Sequence, residues 1–292
     1  MVEHLQRDTD MKTITLPSGK TVPALGQGTW KMGEWPSMRE AEIESLQLGM
    51  DLGMTLIDTA EMYGEGEAEE LIGEAIGHRR DEAYIVSKVY PFNATKRGVI
   101  QACEHSLKRL GTDRIDLYLL HWPGSIPLDE TFDGFQTLVQ QGKIVDFGVS
   151  NFDLDDMQAA VTATGGEHIQ TNQILYNLMR RGPEFDLLPW CREQNIPVMA
   201  YSPIEHSPDE QSGFLDDPLL EDIAAAHNAT PAHIAIAWLL HQENVIAIPK
   251  AGTPEHVREN REAVEIELDD EDLATLDDVF PPPDDEMPLE MR

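Results

Sequence analysis

Cysteine is nearly absent from this chain: Cys103 and Cys191 are the only two among 292 residues. Two lone thiols supply neither a disulfide framework nor a thiolate metal set, and no C-x-x-C or H-E-x-x-H occurs, so no metal site is expected. Both cysteines sit in amphipathic helical patterns and read as small buried side chains. Lysine is scarce as well, only 8 of the 21 basic residues, against 54 acidic residues and a formal net charge of −33. Such a surface repels nucleic acid and anionic membrane, which excludes both as partners. Long apolar runs are also missing. The longest, around Ile234 to Leu240, is far too short to span a bilayer. The polar, acidic opening Met1–Asp10 shows no apolar stretch behind a basic start, so no secretory signal is read and the expected compartment is the cytoplasm.

What the chain does contain is 41% hydrophobic residues, enough for a packed core. They follow a repeated grammar of short apolar run, loop and amphipathic helix. Thr13–Leu16 and Thr21–Leu25, joined by Pro17-Ser18-Gly19-Lys20, read as a hairpin with a Pro/Gly turn. Eight candidate strands follow: Leu25–Trp30, Thr55–Thr59, Tyr84–Val89, Ile115–His121, Ile144–Val149, Ile169–Ile174, Val198–Tyr201 and Val245–Pro249. Between them lie helical stripes. Val99, Cys103, Leu107 and Leu110 make one apolar face that stops at Gly111, and Ile43, Leu46 and Met50 make another. Phe132, Phe135, Leu138 and Val139 make a third, and Asp269–Val279 is a closing helix that Pro281 does not let continue. The expected fold is therefore α/β, a single (β/α)8 TIM barrel with an N-terminal hairpin over residues 1–292, and 1–10 and 281–292 read as peripheral tails. A doubly wound sheet is the alternative, but no G-x-G-x-x-G follows the first strand. The regular periodicity argues against a disordered acidic chain; the charge balance then points to adaptation to high salt, where counterions screen self-repulsion.

In such a barrel the chemistry gathers at the C-terminal ends of the strands. Those ends carry Asp58, Lys88, His121, Ser150-Asn151, Gln173, Tyr201-Ser202 and Lys250. One polar strand end is unremarkable; this succession reads as a ring around a site. Tyr63 follows Asp58 by five residues. A phenol with a pKa near 10 is a poor acid at neutral pH, but a neighbouring ammonium such as Lys88 would stabilise its phenolate and lower that pKa. Lys88 would need a carboxylate to stay charged inside the barrel mouth, and Asp58 is the candidate. His121 can hydrogen-bond and orient a carbonyl oxygen. Other histidines, His105, His227, His233 and His241, lie in helical stretches and read as solvated or satisfied. Arg180-Arg181 reads as a solvated turn.

These residues stand in stretches that resemble the aldo/keto reductase superfamily: Gly53 to Gly64, Ser87-Lys88, Leu119 to Pro123, Gly148 to Phe152, Thr171-Asn172-Gln173, Ala200 to Pro203, Ile248-Pro249-Lys250 and Glu259-Asn260. The acidic balance resembles that of haloarchaeal proteins. The family resemblance implies an oxidoreductase moving a hydride from NADPH to an aldehyde or ketone carbonyl. In it Tyr63 is the proton donor, Lys88 and Asp58 tune it, and His121 orients the substrate. It further implies that Ser150, Asn151 and Gln173 bond the nicotinamide carboxamide, that Tyr201 stacks on the ring, and that Ser202 lies near the pyrophosphate. Lys250, Glu259 and Asn260 would hold the adenosine end, and Trp30 and Trp122 would wall the substrate pocket. The chain departs from the pattern of NADPH-preferring members at Ala251 and His256, where a hydroxyl and an arginine are usual, although Thr253 and Arg258 lie close by. NADPH is the expected cofactor, with NADH as the alternative, and a monomer or weak oligomer is expected. Two rival readings belong to other classes, an NADP(H)-binding auxiliary subunit without useful turnover and a barrel isomerase or hydrolase.

Overall fold

The structure, a computed structural model, describes residues 11–204 and 214–292; the N-terminal segment 1–10, read above as a tail, lies outside the described residues. Strands β1 (Thr13–Thr15) and β2 (Thr21–Pro23) pair antiparallel. The chain then alternates through β3 (Gln27–Gly28), α1 (Arg39–Asp51), β4 (Leu56–Asp58), α2 (Glu67–Ile76), β5 (Tyr84–Val89), α3 (Lys96–Leu110), β6 (Ile115–Leu120) and α4 (Leu128–Gln140). It continues through β7 (Ile144–Ser150), α5 (Leu154–Thr162), β8 (Ile169–Leu175), α6 (Leu187–Glu193), β9 (Val198–Tyr201), α7 (Pro218–Ala226), α8 (Pro231–His241), β10 (Val245–Ala247), α9 (Pro254–Glu262) and α10 (Asp270–Val279).

Strands β3 to β10 pair in sequence order, all parallel. The first strand also bonds the last, with Gly26 N donating to Ala247 O at 2.8 Å and Gly28 N to Pro249 O at 2.9 Å, so the sheet closes on itself. The expected barrel is what forms. Its opening strand is shorter than Leu25–Trp30, and the glycines explain why it still fits. A Cβ at Gly26 would stand 2.9 Å from Leu56 O, and one at Gly28 would stand 2.8 Å from Ile248 O. Only glycine lets that strand press between its two neighbours.

The helices bury the stripes read from the sequence. On α3, Val99, Cys103, Leu107 and Leu110 are buried. Thr95 caps its N-terminus by accepting from Gly98 N, and Gly111 ends it at φ +63°, a left-handed position suited to glycine. Phe132, Phe135 and Leu138 of α4 are buried against the sheet, while Val139 turns outward and is 40% exposed. The hairpin covers the N-terminal end of the barrel, where Ser18 N donates to Gln170 Oε1 at 2.8 Å and Ser18 Oγ to Asp146 Oδ2 at 3.1 Å. That leaves the opposite end for chemistry. Asp269 caps α10 through Glu271 N and Asp272 N, so the acidic cluster there sits at a helix start favoured by the dipole.

Arg181 departs from the solvated turn expected for Arg180-Arg181. It is 8% exposed, lies over the Trp238 ring with its guanidinium carbon 5.1 Å from the centroid, and bonds Glu184, Asp277 and the carbonyl of Phe280. Its fork ties the loop after β8 to the end of α10, a use that a rigid guanidinium serves and an ammonium would not. Among the described residues no helix is long and apolar enough to cross a membrane, and no group of three or more His, Cys, Asp or Glu is placed to hold a metal ion.

Candidate active site

Four side chains expected to act together meet at the C-terminal end of the barrel. Lys88, on β5, is fully buried and points into the barrel. Its ammonium lies 2.8 Å from both carboxylate oxygens of Asp58, at the end of β4. It also donates to the carbonyl of Thr59 at 2.8 Å and to the hydroxyl oxygen of Tyr63 at 3.0 Å. An ammonium has three N–H donors, and these partners use all of them. Because Tyr63 accepts from Lys88, its own O–H is free to donate elsewhere. Tyr63 sits in a tight 3-10 turn in which Gly64 and Glu65 both take positive φ, 57° and 55°, which lifts the phenol back over the strand ends.

Electrostatics here is a contest between burial and pairing. Burial holds the Lys88 ammonium below its ordinary pKa and the Asp58 carboxyl above its own, and each charge is offset by the other. Burial, with the nearby Asp58 charge, pushes the Tyr63 phenol well above its usual value. The expectation that Lys88 would lower that pKa is therefore corrected. The cation comes with its own carboxylate, the pair is close to neutral, and desolvation of the phenolate prevails. Tyr63 is accordingly a protonated phenol with its O–H available to donate.

His121, just past β6, is nearly buried, and burial followed by the Lys88 charge pulls its imidazole pKa down to about 2. It is neutral. Its Nδ1 is buried without a partner among the described residues, and its ring stands 6.0 Å from that of Tyr63 in an edge-on arrangement. A neutral ring with its nitrogens uncommitted can donate one N–H to an oxygen held between it and Tyr63.

The next three strand ends form one hydrogen-bonded patch. Ser150 Oγ donates to Gln173 O at 2.8 Å, and Asn151 Nδ2 donates to His121 O at 3.0 Å and to Ser150 Oγ at 3.1 Å. Tyr201 donates its hydroxyl to Asn151 Oδ1 at 2.9 Å, and Gln173 Nε2 donates to Asp58 Oδ1 at 2.7 Å. The N–H donors of Asn151 are thus spent, and so are those of Gln173, which also donates to Met199 Sδ at 3.0 Å, so the patch offers acceptor oxygens. Two backbone positions here are left-handed without being glycine, Asn151 at φ +59° and Ser202 at φ +50°. Such strain gathers where a site is built. Asn172 clamps the first of these turns through Phe152 O at 2.7 Å, and Asn177 holds the second through Ser202 O at 2.8 Å.

Lys250 and Glu259 are exposed and Asn260 is nearly buried, and none of these side chains is bonded to another described residue. Beside them Thr253 caps α9 by accepting from His256 N, while His256 and Arg258 are exposed. Trp30 is 43% exposed with the Lys31 ammonium 4.6 Å from its ring centroid, and Trp122 is partly buried.

Several contributors were not read from the sequence. Tyr90, two residues beyond Lys88, stacks on Phe92 at 4.4 Å, meets Trp122 edge-on at 5.7 Å and lies 6.5 Å from His121. Glu61 Oε1 secures that wall by accepting from Tyr90 N at 2.8 Å and Asn93 Nδ2 at 3.1 Å. The two-residue offset from Lys88, which continues the alternation of β5 one residue past its end, was the available signal. The C-terminal stretch also returns to the mouth: Glu290 pairs with Arg180 at 2.8 Å, and Arg292 N reaches the Tyr201 hydroxyl at 3.3 Å.

Comparison with known proteins identifies the family. The model of the aldo/keto reductase family matches residues 24–280. The methylglyoxal reductase YeaE of Escherichia coli is 48% identical over 280 residues, covering 96% of this chain and 99% of its own. A solved aldo-keto reductase from Klebsiella pneumoniae in complex with NADPH superposes with a TM-score of 0.94 at 46% identity, covering 97% of this chain and all of that one (100%). A second Klebsiella pneumoniae aldo/keto reductase structure, in complex with NADP and acetate, gives the same TM-score of 0.94 at 47% identity, with coverages of 97% and 100%. With the family matched over residues 24–280 and nearly its whole length and fold shared with these proteins, this chain belongs to the aldo/keto reductase family.

Proposed function

We propose that this protein reduces an aldehyde or ketone carbonyl with NADPH, with Tyr63 as the proton donor. The observation that supports the reading is the threefold bonding of the Lys88 ammonium, which makes Tyr63 an acceptor from Lys88 and leaves its O–H free to donate. NADPH, when bound, supplies the hydride. The remaining work belongs to the chain. Tyr63 delivers a proton to an oxygen that gains negative charge, the Lys88–Asp58 pair holds the phenol in place, and neutral His121 donates a second hydrogen bond that orients the same oxygen. Proton donation to a forming alkoxide needs a donor aimed before the reaction starts, and the buried pair provides that aim.

The chain has residues suited to the cofactor. The acceptor oxygens of Ser150, Asn151 and Gln173 match the N–H groups of a carboxamide, and the Tyr201 ring beside them gives a flat surface for stacking. Ser202 would lie near the pyrophosphate. The unpaired side chains of Lys250, Glu259 and Asn260 suit a phosphorylated adenosine, with Lys250 as the point charge for a 2′-phosphate. Methylglyoxal, the substrate named for YeaE, is a small dicarbonyl and a suitable first substrate to test. Trp30, Trp122 and Tyr90 would wall its pocket. The −33 charge supports adaptation to high salt, and the cytoplasm is the compartment that suits an NADPH-consuming enzyme.

Steady-state reduction of methylglyoxal and a panel of aldehydes, with NADPH and NADH at one fixed salt concentration, tests this reading. Turnover with an NADPH preference of roughly ten- to a hundredfold in kcat/KM is expected, as one retained charged contact implies. Saturable NADPH binding without turnover would instead assign the chain an auxiliary, non-catalytic role.

A further inference from the structure

Ser87 stands next to Lys88 in the strand, and the reaction as described gives it no part. Alternation along β5 sends Lys88 into the barrel and Ser87 outward, toward the helices. There its hydroxyl donates to Glu69 Oε1 of α2 at 2.6 Å. The other oxygen of Glu69 accepts from Arg109 Nε of α3, also at 2.6 Å, and the Arg109 fork reaches Ser106 Oγ at 3.2 Å. Glu69 is wholly buried. Arg109 in turn runs beneath Gly66, where a Cβ would stand 2.4 Å from its Cδ and 2.6 Å from its Nε. Gly66, at φ +101°, ends the turn that starts at Tyr63 and begins the helix that carries Glu69.

The two halves of the proton-donating pair are therefore joined twice. Inside the barrel, Lys88 meets Tyr63 across 3.0 Å. Outside it, Ser87 of the lysine strand is tied through Glu69 and Arg109 to the turn that bears the tyrosine. A buried ion pair recovers little net stability, because desolvation consumes most of the Coulomb gain, so stability alone does not account for it. Fixing one geometry is the better-attested use of such a pair.

We propose that Glu69, held by Arg109 and bonded to Ser87, is a positioning residue that sets the Lys88–Tyr63 contact from outside the barrel. Its negative charge across the sheet also helps keep the Lys88 ammonium charged. The inference rests on the reading of Tyr63 as proton donor.

Ser87→Ala is the mildest test, since it removes one hydroxyl and leaves the Glu69–Arg109 pair intact. A misplacement remote from the chemistry can cost about a hundredfold, so kcat for NADPH-dependent aldehyde reduction should fall roughly ten- to a hundredfold while the NADPH Kd stays within about twofold. The alkaline limb of the pH–rate profile should also move to higher pH, because the Lys88 N–H bond to the phenol oxygen favours the phenolate, and lengthening it leaves the burial that already raises that pKa unopposed. Ser87→Thr, which restores the hydroxyl, should recover both kcat and the limb. Glu69→Gln should reproduce the limb shift if it folds, as circular dichroism will show; should it not fold, Ser87→Ala and Ser87→Thr decide alone. A Ser87→Ala enzyme with wild-type kcat, or with reduced kcat and an unmoved limb, would overturn the proposal, since a purely structural defect lowers the active fraction without shifting the profile. Tyr63→Phe is run beside these variants: full turnover there would sink the proton-donor reading itself, whatever Ser87→Ala shows.

Discussion

Gln173 and Asp58 lie 115 residues apart in the chain, and their side chains meet at 2.7 Å, with the Gln173 amide nitrogen donating to Asp58 Oδ1. The contact joins two roles that the sequence presents separately, the proposed carboxamide-binding residue on β8 and the carboxylate paired with Lys88. Gln173→Leu should therefore do more than weaken NADPH binding. With a hydrogen bond to a charged group worth about 1.5–3 kcal/mol, both NADPH affinity and kcat should fall by about tenfold or more. Stopped-flow binding and single-turnover reduction separate the two, and a loss confined to binding would contradict the link.

The buried Lys88–Asp58 pair makes a prediction about stability. Lys88→Met leaves a carboxyl in a dry site without its cation, a change that costs about 3–5 kcal/mol in comparable pairs. Adding Asp58→Asn removes the stranded charge, so the double variant should regain much of the lost stability while staying inactive. Urea unfolding at neutral pH checks this. A double variant no more stable than Lys88→Met would show that the cost lies elsewhere.

His121 should make the fold sensitive to mild acid. Its folded pKa, about 2, lies below the unfolded value of about 6.5. As pH falls through about 6.5 the unfolded chain takes up a proton that the folded chain refuses, so the stability that His121 contributes above that pH is lost on the way down, at about 1.4 kcal/mol per pH unit. Unfolding free energies between pH 7 and 5.5 should decline more steeply for wild type than for His121→Gln. Equal slopes would mean that the native ring takes up its proton over the same pH range as the unfolded one.

Much of this was legible in the sequence, and the exceptions have definite causes. Alternating apolar runs and stripes placed the strands and helices, because burial on one face leaves a period that a single chain displays. The first strand, Gln27–Gly28, is shorter than the run Leu25–Trp30, because an apolar run marks burial and not where ladder pairing stops; Gly26 and Gly28 are there for close approach. Arg181 was misread for a different reason: a charged residue beside a turn reads as solvated, and only the fold brings Trp238, Glu184 and Asp277 around it. The Asp58–Lys88–Tyr63 contact was expected from its chemistry. The direction of the Tyr63 pKa was not, because it depends on how thoroughly the fold excludes water from the phenol. Glu69 was invisible beside Ser87-Lys88, since the link requires knowing that α2 lies over β5.

The acidic surface leads to a salt dependence. Self-repulsion at −33 acts over about 10 Å at 0.1 M salt and about 3 Å at 1 M. Melting temperature should rise across a KCl series from dilute buffer to molar salt. A flat or falling series would reject the salt-adaptation reading.

The most direct test of the central claim is the single-turnover rate of Tyr63→Phe with saturating NADPH and aldehyde. The variant loses one hydroxyl, while the Lys88–Asp58 bonds and the acceptor patch of Ser150, Asn151 and Gln173 remain. A general acid is worth about 10² to 10⁴ in rate, so the reduction step should slow by at least that range while NADPH still quenches tryptophan fluorescence with wild-type affinity. A variant that reduces the aldehyde at near wild-type rate would show that the proton comes from elsewhere and would overturn the role given to Tyr63.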